Sequence, residues 1–184
     1  VEMGHSLPED PIIFLKPPTV LIGPEDSILL PPSSQRVDYE GELAVVIGKE
    51  CKAVSAEEVD KYILGCTCFN DVTARDLQRK DGQWTRGKSF DTFGPAGPWI
   101  ETELNYNDVE VTTILNDRIM QRSRTSRLIH SIDKVVSYIS GIMTLMPGDI
   151  IATGTPAGVG PMQEGDCVQV RIEGIGTLRN YVVK

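Results

Sequence analysis

The chain predicts an α+β fold on mixed or antiparallel sheets, and three observations lead there. Apolar runs of strand length outnumber segments with helical period. Those runs do not alternate with helices in the rhythm of a parallel sheet. Gly and Pro interrupt the chain too often for a helical bundle. A chain of 184 residues fits a single domain, 1–184, with a core large enough to stand without staples.

The elements follow in order. Residues 11–32, PIIFLKPPTVLIGPEDSILLPP, alternate short apolar runs with breakers and suit short strands and turns. The run 37–48 is a strand. Residues 55–65, SAEEVDKYILG, predict a short helix with Ser55 and Glu58 as a capping box and Gly65 as its stop. CTCFNDV, 66–72, is a strand ending in a polar turn, and TARDLQRK, 73–80, gives one or two helical turns. The stretch 81–100 lacks an apolar period and is expected to be a long loop, which asks for a functional reason. Residues 109–123 form a hairpin turning at Asn116-Asp117. Ile132, Val135, Val136, Ile139, Ile142 and Met143 recur at helical spacing before Pro147-Gly148. A strand with a glycine loop, DIIATGTPAGVGPM, and a closing hairpin from Cys167 onward complete the chain.

The formal charge of -8, without any basic run, argues against nucleic acid or an anionic membrane as partner. A small molecule or another protein remains. No apolar run reaches the roughly 18 residues of a membrane span, so the expected location is the cytoplasm. Of the four cysteines, Cys66 and Cys68 share a strand face, and two histidines do not complete a zinc set, so free buried thiols are expected. The chain starts at Val1 without an initiator Met, and further N-terminal sequence is expected before it.

The run VDYEGELAVVIGKE, 37–50, poses the functional question. Alternation puts Leu43, Val45 and Ile47 on one face and Glu40, Glu42, Ala44 and Val46 on the other. Two carboxylates about 6 to 7 Å apart, from a rise of roughly 3.3 Å per residue, therefore lead into core. They need a cation or donors, unless the strand is a solvated edge. Asp71, where the next strand ends, is a third acid. Three oxygen ligands with open positions suit a hard cation such as Mg2+ or Mn2+, although Asn70-Asp71 is also a sound turn without one.

Four blocks, YEGELAVVIG, GCTCFNDVTARDLQ, WTRGKSFDTFGPAGPWI and MPGDIIATGTPAGVG, resemble those of the fumarylacetoacetate hydrolase superfamily, in order along nearly the whole chain. The resemblance implies an α+β fold of layered sheets rolled around a metal cleft, a homodimer, and one Mg2+ or Mn2+ per chain on Glu40, Glu42 and Asp71. It makes Lys88 the active-site lysine and puts Arg75 and Gln78 at the substrate. Gly154 and Thr155, in the T-G-T-P segment, either cradle a substrate carboxylate or form a plain turn. Tyr39 and Phe90 either line the pocket or pack.

Catalytic members of that family carry an H-x-x-E pair on an N-terminal lid. Glu2 matches the Glu, the matching His would fall before Val1, and His5 is out of register. The resemblance implies an enzyme that binds a 2-oxo or 1,3-dicarbonyl carboxylate and stabilises its enolate. The shape of the blocks is most similar to 2-hydroxyhepta-2,4-diene-1,7-dioate isomerases of aromatic catabolism, with a related decarboxylase activity. Hydrolysis of an acylpyruvate or fumarylpyruvate, and decarboxylation of oxaloacetate, are the enzymatic alternatives. A dimeric module that binds metal and carboxylates without turnover is the alternative of another class.

Overall fold

The computed structural model describes residues 9–184. Along the chain, two short strands, β1 (Leu21–Ile22) and β2 (Ser27–Leu29), precede β3 (Val37–Tyr39), β4 (Gly41–Ile47) and β5 (Ile63–Asn70). After β6 (Thr73–Ala74) come two short helices, α1 (Arg75–Asp81) and α2 (Thr85–Lys88), and then β7 (Gly94–Glu101). The hairpin β8 (Glu110–Leu115) and β9 (Arg118–Arg124) leads to α3 (Ile132–Ile142). Four strands close the chain: β10 (Ile150–Ala152), β11 (Gly160–Pro161), β12 (Cys167–Ile172) and β13 (Gly176–Val183).

They assemble into three sheets, ordered β1-β7-β5-β4-β10, β11-β3-β6 and β2-β13-β12-β8-β9. Pairing is antiparallel except for β1 with β7 and β2 with β13, so the sheets are mixed and the class is α+β. The two five-stranded sheets face each other through Leu43, Val45, Cys66, Cys68, Val170, Ile172 and Leu178, with Val135 and Val136 of α3 in the same core. Burying each of these aliphatic side chains contributes roughly 1.5–3 kcal/mol. A second core, under the three-stranded sheet, joins Tyr39, Val37, Val72, Phe93 and Val168. Every residue of β4 is buried, as its two apolar faces predict.

Several elements differ from the sequence reading. The strand 37–48 is broken at Glu40: β3 pairs with β6 and β11, while β4 pairs with β5 and β10. Glu40 thus stands at the junction of two sheets. Over 55–65 the chain forms only a six-residue 3-10 turn, Ala56–Lys61, and Ser55 makes no side-chain cap bond. Gly65 stops no helix; it lies in β5, where an added Cβ would come within 2.4 Å of the Glu101 carbonyl oxygen on β7. The expected loop 81–100 contains α2 and β7, whose G-P-A-G-P-W sequence conceals the alternation of a strand. α3 ends at Ile142, short of Pro147, with Ser131 as a true cap that accepts from the Lys134 N–H. The hairpin turns at Asn116-Asp117 with both φ positive (48° and 66°), the conformation a two-residue turn needs.

The four cysteines are free, and burial pushes the Cys66 and Cys68 thiols up to about 12. Among the described residues, no helix is long and apolar enough to cross a membrane.

Candidate metal centre

The ends of β4 and β5 create the site. The last ladder pair, Gly41 with Asn70, leaves Glu40 and Asp71 side by side just beyond it. Three bonds lock that junction: the Asp71 N–H donates to the Glu40 carbonyl at 2.9 Å, the Glu40 N–H to the Asn70 Oδ1 at 3.0 Å, and the Thr73 hydroxyl to the Asp71 carbonyl at 2.8 Å. Glu42, one residue into β4, brings its carboxylate to the same point. One oxygen from each of Glu40, Glu42 and Asp71 lies within 4.8 Å of the others. They are 7, 4 and 1 % exposed.

Among the described residues, three cations surround this floor. The Lys88 Nζ, from the end of α2, donates to the Glu40 Oε2 at 2.8 Å and to the Asp71 Oδ2 at 2.5 Å. The Lys16 Nζ, from the segment that precedes β1, donates to the Asp71 Oδ1 at 2.6 Å. Arg75, at the start of α1, donates through Nε to Asp38 at 2.9 Å, to Gln78 Oε1 at 2.8 Å, and to Glu40. Asp38 is fully buried, and Arg36 grips it from the other side at 2.8 Å. A partly buried aromatic pair stands beside the lysine: Phe14 and Trp84 have ring centroids 5.4 Å apart, and the Lys88 Nζ is 4.9 Å from the Phe14 centroid.

Burial first, then the charges of Asp71 and Glu40, push the Glu42 carboxyl up to about 8, against the opposing pull of Lys88 and the Gly154 N–H. Burial would raise Asp71 too, but the ammonium groups of Lys16 and Lys88 hold it below its ordinary value. Burial works to lower both lysines. In Lys88 the attraction of Asp71 and Glu40 wins and its pKa rises, whereas Lys16, with Asp71 as its main partner, falls. A floor in which one carboxyl resists ionisation until positive charge arrives is chemically suited to a divalent cation. An all-oxygen donor set of this kind would suit a hard divalent ion, which Glu40, Glu42 and Asp71 would hold.

The remaining expected site residues hold the floor. The Gly154 N–H donates to the Glu42 Oε2 at 2.7 Å, and the Thr155 hydroxyl donates to the Gly41 carbonyl at 2.9 Å. Arg75 and Gln78 are bonded to each other and lie within the same buried group. Tyr39 and Phe90 pack: the Tyr39 hydroxyl donates to the Gly158 carbonyl, and Phe90 rests on Phe93. Glu2 and His5 lie outside the described residues.

Lys16, Asp38 and Gln121 belong to this group and were not singled out in the sequence. A lone Lys in IIFLKPP carries no periodic signal; its only hint is a charge inside an apolar run. Gln121 sits in RIMQRSR, where nothing distinguishes a buried amide from its exposed polar neighbours.

A family model described as fumarylacetoacetate (FAA) hydrolase C-terminal matches residues 1–183. Two solved structures are similar over nearly the whole chain. A 5-carboxymethyl-2-hydroxymuconate delta-isomerase from Mycobacterium smegmatis is 57 % identical, with a TM-score of 0.95, over 99 % of this chain and 72 % of its own. A 2-hydroxyhepta-2,4-diene-1,7-dioate isomerase from Mycobacterium marinum is 55 % identical, with a TM-score of 0.94, over 96 % of this chain and 70 % of its own. The mitochondrial oxaloacetate tautomerase Fahd2a of Rattus norvegicus is 42 % identical over 193 residues, which cover 99 % of this chain and 62 % of that protein.

Proposed function

The chain belongs to the fumarylacetoacetate hydrolase family, and from that premise we propose that it is a metal-dependent isomerase of 2-oxo and 2-hydroxy-dienoic dicarboxylates, of the 2-hydroxyhepta-2,4-diene-1,7-dioate class, in aromatic catabolism. The observation that carries this reading is the convergence of Glu40, Glu42 and Asp71 beneath Lys88. The isomerase names of the similar structures support the substrate class.

In this reading Glu40, Glu42 and Asp71 hold one Mg2+ or Mn2+. When bound, that ion supplies Lewis-acid polarisation of the substrate's 2-oxo and carboxylate oxygens. Isomerisation then needs a proton taken from one carbon and returned to another, with the negative charge resting on the enolate oxygen in between. Lys88 is suited to stabilise that oxygen: an ammonium has three N–H donors, and two of them are engaged by Glu40 and Asp71. Its burial in low dielectric strengthens the interaction. Arg75 and Gln78 form the substrate wall and aim Glu40. Gly154 and Thr155 close the opposite side, where we place the substrate carboxylate. For Glu2 we propose the role that the family resemblance implies, orienting the residue that moves the proton.

The tautomerase name of the rat relative fits the same chemistry, because interconverting the keto and enol forms of oxaloacetate also passes through an enolate. We further propose a homodimer, in keeping with the family and with exposed apolar residues such as Trp99, Ile119 and Ile129. Light scattering that returned a monomer mass at micromolar concentration would exclude it.

The test is turnover of the dienedioate, of oxaloacetate and of an acylpyruvate, each with Mn2+ and with EDTA, following enol absorbance and CO2 release. Mn2+-dependent isomerisation of the dienedioate is expected. Cleavage of the acylpyruvate, or CO2 release without isomerisation, would transfer the reading to the hydrolase or decarboxylase alternative. No turnover of any substrate would overturn it.

A further inference from the structure

Gln121 belongs to a strand of the other five-stranded sheet, yet its side chain reaches the peptide between the two glutamates. It is 1 % exposed. The Gly41 N–H donates to the Gln121 Oε1 at 3.0 Å, and the Gln121 Nε2 donates to the Thr155 Oγ1 at 2.8 Å. The Thr155 hydroxyl then donates to the Gly41 carbonyl at 2.9 Å. The three bonds form a closed ring in which every proton has one direction. A further bond from the Gln121 Nε2 to the Pro156 carbonyl, at 2.7 Å, fixes which end of the amide is oxygen.

The ring joins three parts of the centre. Gly41 is the residue between Glu40 and Glu42, and its backbone lies so close to the second sheet that an added Cβ would fall 1.9 Å from the Thr113 Oγ1. Thr155 follows Gly154, whose N–H holds the Glu42 Oε2 at 2.7 Å. The loop's other side is pressed against β9, because a Cβ on Gly158 would lie 2.3 Å from the Met120 carbonyl oxygen. Both connections to Glu42, through its own strand and through Gly154, therefore pass through groups that Gln121 ties together.

We infer that Gln121 is a positioning residue of the metal centre: through the Gly41–Gln121–Thr155 ring it fixes the direction of Glu40 and Glu42 and so sets cation affinity without touching the ion. The inference rests on the metal reading above. A neutral amide suits the role, since it supplies an acceptor to one backbone and donors to another without adding charge beside three buried carboxylates.

The test uses Mn2+ alone as probe. Gln121→Met keeps the length of the side chain and removes its hydrogen bonds; Thr155→Val removes the hydroxyl at similar volume, and Thr155→Ser returns it. By calorimetry, Mn2+ affinity is expected to fall about 10- to 100-fold in Gln121→Met, the range for residues that orient metal ligands, and comparably in Thr155→Val. Thr155→Ser should bind close to wild type. The double variant should bind no more weakly than the weaker single one, because both open the same ring. A residue that only fills space would lower the melting temperature of the metal-free protein and leave Mn2+ affinity within twofold. That result, or simple addition of the two effects, overturns the inference.

Amide hydrogen exchange in the metal-free protein gives a separate reading. The Gly41 N–H bonds to Gln121 and not to Thr155, so its exchange should speed up at least about tenfold in Thr155→Val if the ring acts as a unit. Unchanged exchange would overturn it. Should Gln121→Met fail to fold, Thr155→Val and Thr155→Ser decide by affinity and exchange. A wild type that takes up no Mn2+ defeats the metal reading instead, and the exchange of Gly41 then decides the ring alone.

Discussion

The carboxylates at the two ends of the first sheet have different surroundings. At one end of the first sheet, the Tyr106 hydroxyl lies between Asp60 and Asp133, donating to Asp133 at 2.9 Å, beside a cavity of about 350 Å3 lined also by Glu103, Asn105 and Asn107. At the other end, Glu40, Glu42 and Asp71 are sealed under lysines and an arginine. The first group opens on that hollow and has Asp60 exposed to water, so a phenol suffices to hold two elements together. The second is buried, and its charge is met by the ammonium and guanidinium groups against it. Desolvation of the acids, more than their number or the size of a cavity, distinguishes a candidate ion site from a structural tie.

The largest expected break in that comparison comes from Glu42→Ala. Removing a ligand should weaken Mn2+ binding by more than about 100-fold, beyond the range for an outer-shell residue. The metal-free protein should still fold, at a cost of about 1–3 kcal/mol for the Gly154 N–H left without its acceptor, partly offset by the removal of a carboxyl that Asp71 and Glu40 repel. Calorimetry that showed wild-type Mn2+ affinity would end the metal assignment.

Lys88→Met comes next. In EDTA it leaves Glu40 and Asp71 buried with less compensation and should cost about 3 kcal/mol, a fall in melting temperature of roughly 10 °C for a chain of this size. Saturating Mn2+ should restore most of that loss while turnover stays low. A variant that melts and turns over like wild type would remove Lys88 from the chemistry.

At the other group, Tyr106→Phe should cost about 1 kcal/mol in urea unfolding and leave Mn2+ affinity unchanged. A change in affinity would mean that the two ends are coupled.

The smallest effect concerns a carboxylate in neither group. Burial alone would raise the Asp76 pKa, but the Gln35 N–H, the Ser34 hydroxyl and the first amides of α1 hold it below the ordinary carboxylate value. Its contribution is therefore present above the unfolded-state value and lost as pH falls through the folded one. Asp76→Asn should lower stability slightly at neutral pH and converge on wild type in acid. A constant difference across that window would show that the charge plays no part.

How much of this was legible in the sequence depended on how local the cause was. Strand alternation puts Glu40 and Glu42 on one face, and the end of the next strand supplies Asp71. The family blocks marked Lys88. The division into three sheets at Glu40 was hidden, because one uninterrupted strand pattern runs from Val37 to Ile47 and only pairing partners break it. Gly65 was misread since a glycine required by the Glu101 backbone looks the same as one that ends a helix. Lys16 and Gln121 were missed because each takes its meaning from a partner 55 or 80 residues away. Single-residue chemistry leaves no trace in periodicity when its cause is tertiary.

The contact between Phe14 and Trp84 has an optical consequence. The chain has two tryptophans, and Trp84 leans on the ring that faces the Lys88 ammonium, while Trp99 lies exposed on β7. An indole's emission responds to the polarity and charge near it, so a Trp99→Phe protein would carry a single intrinsic fluorophore beside the carboxylate floor. Filling the floor, moving Lys88 or lifting the segment that carries Phe14 would each change its light, without a label attached.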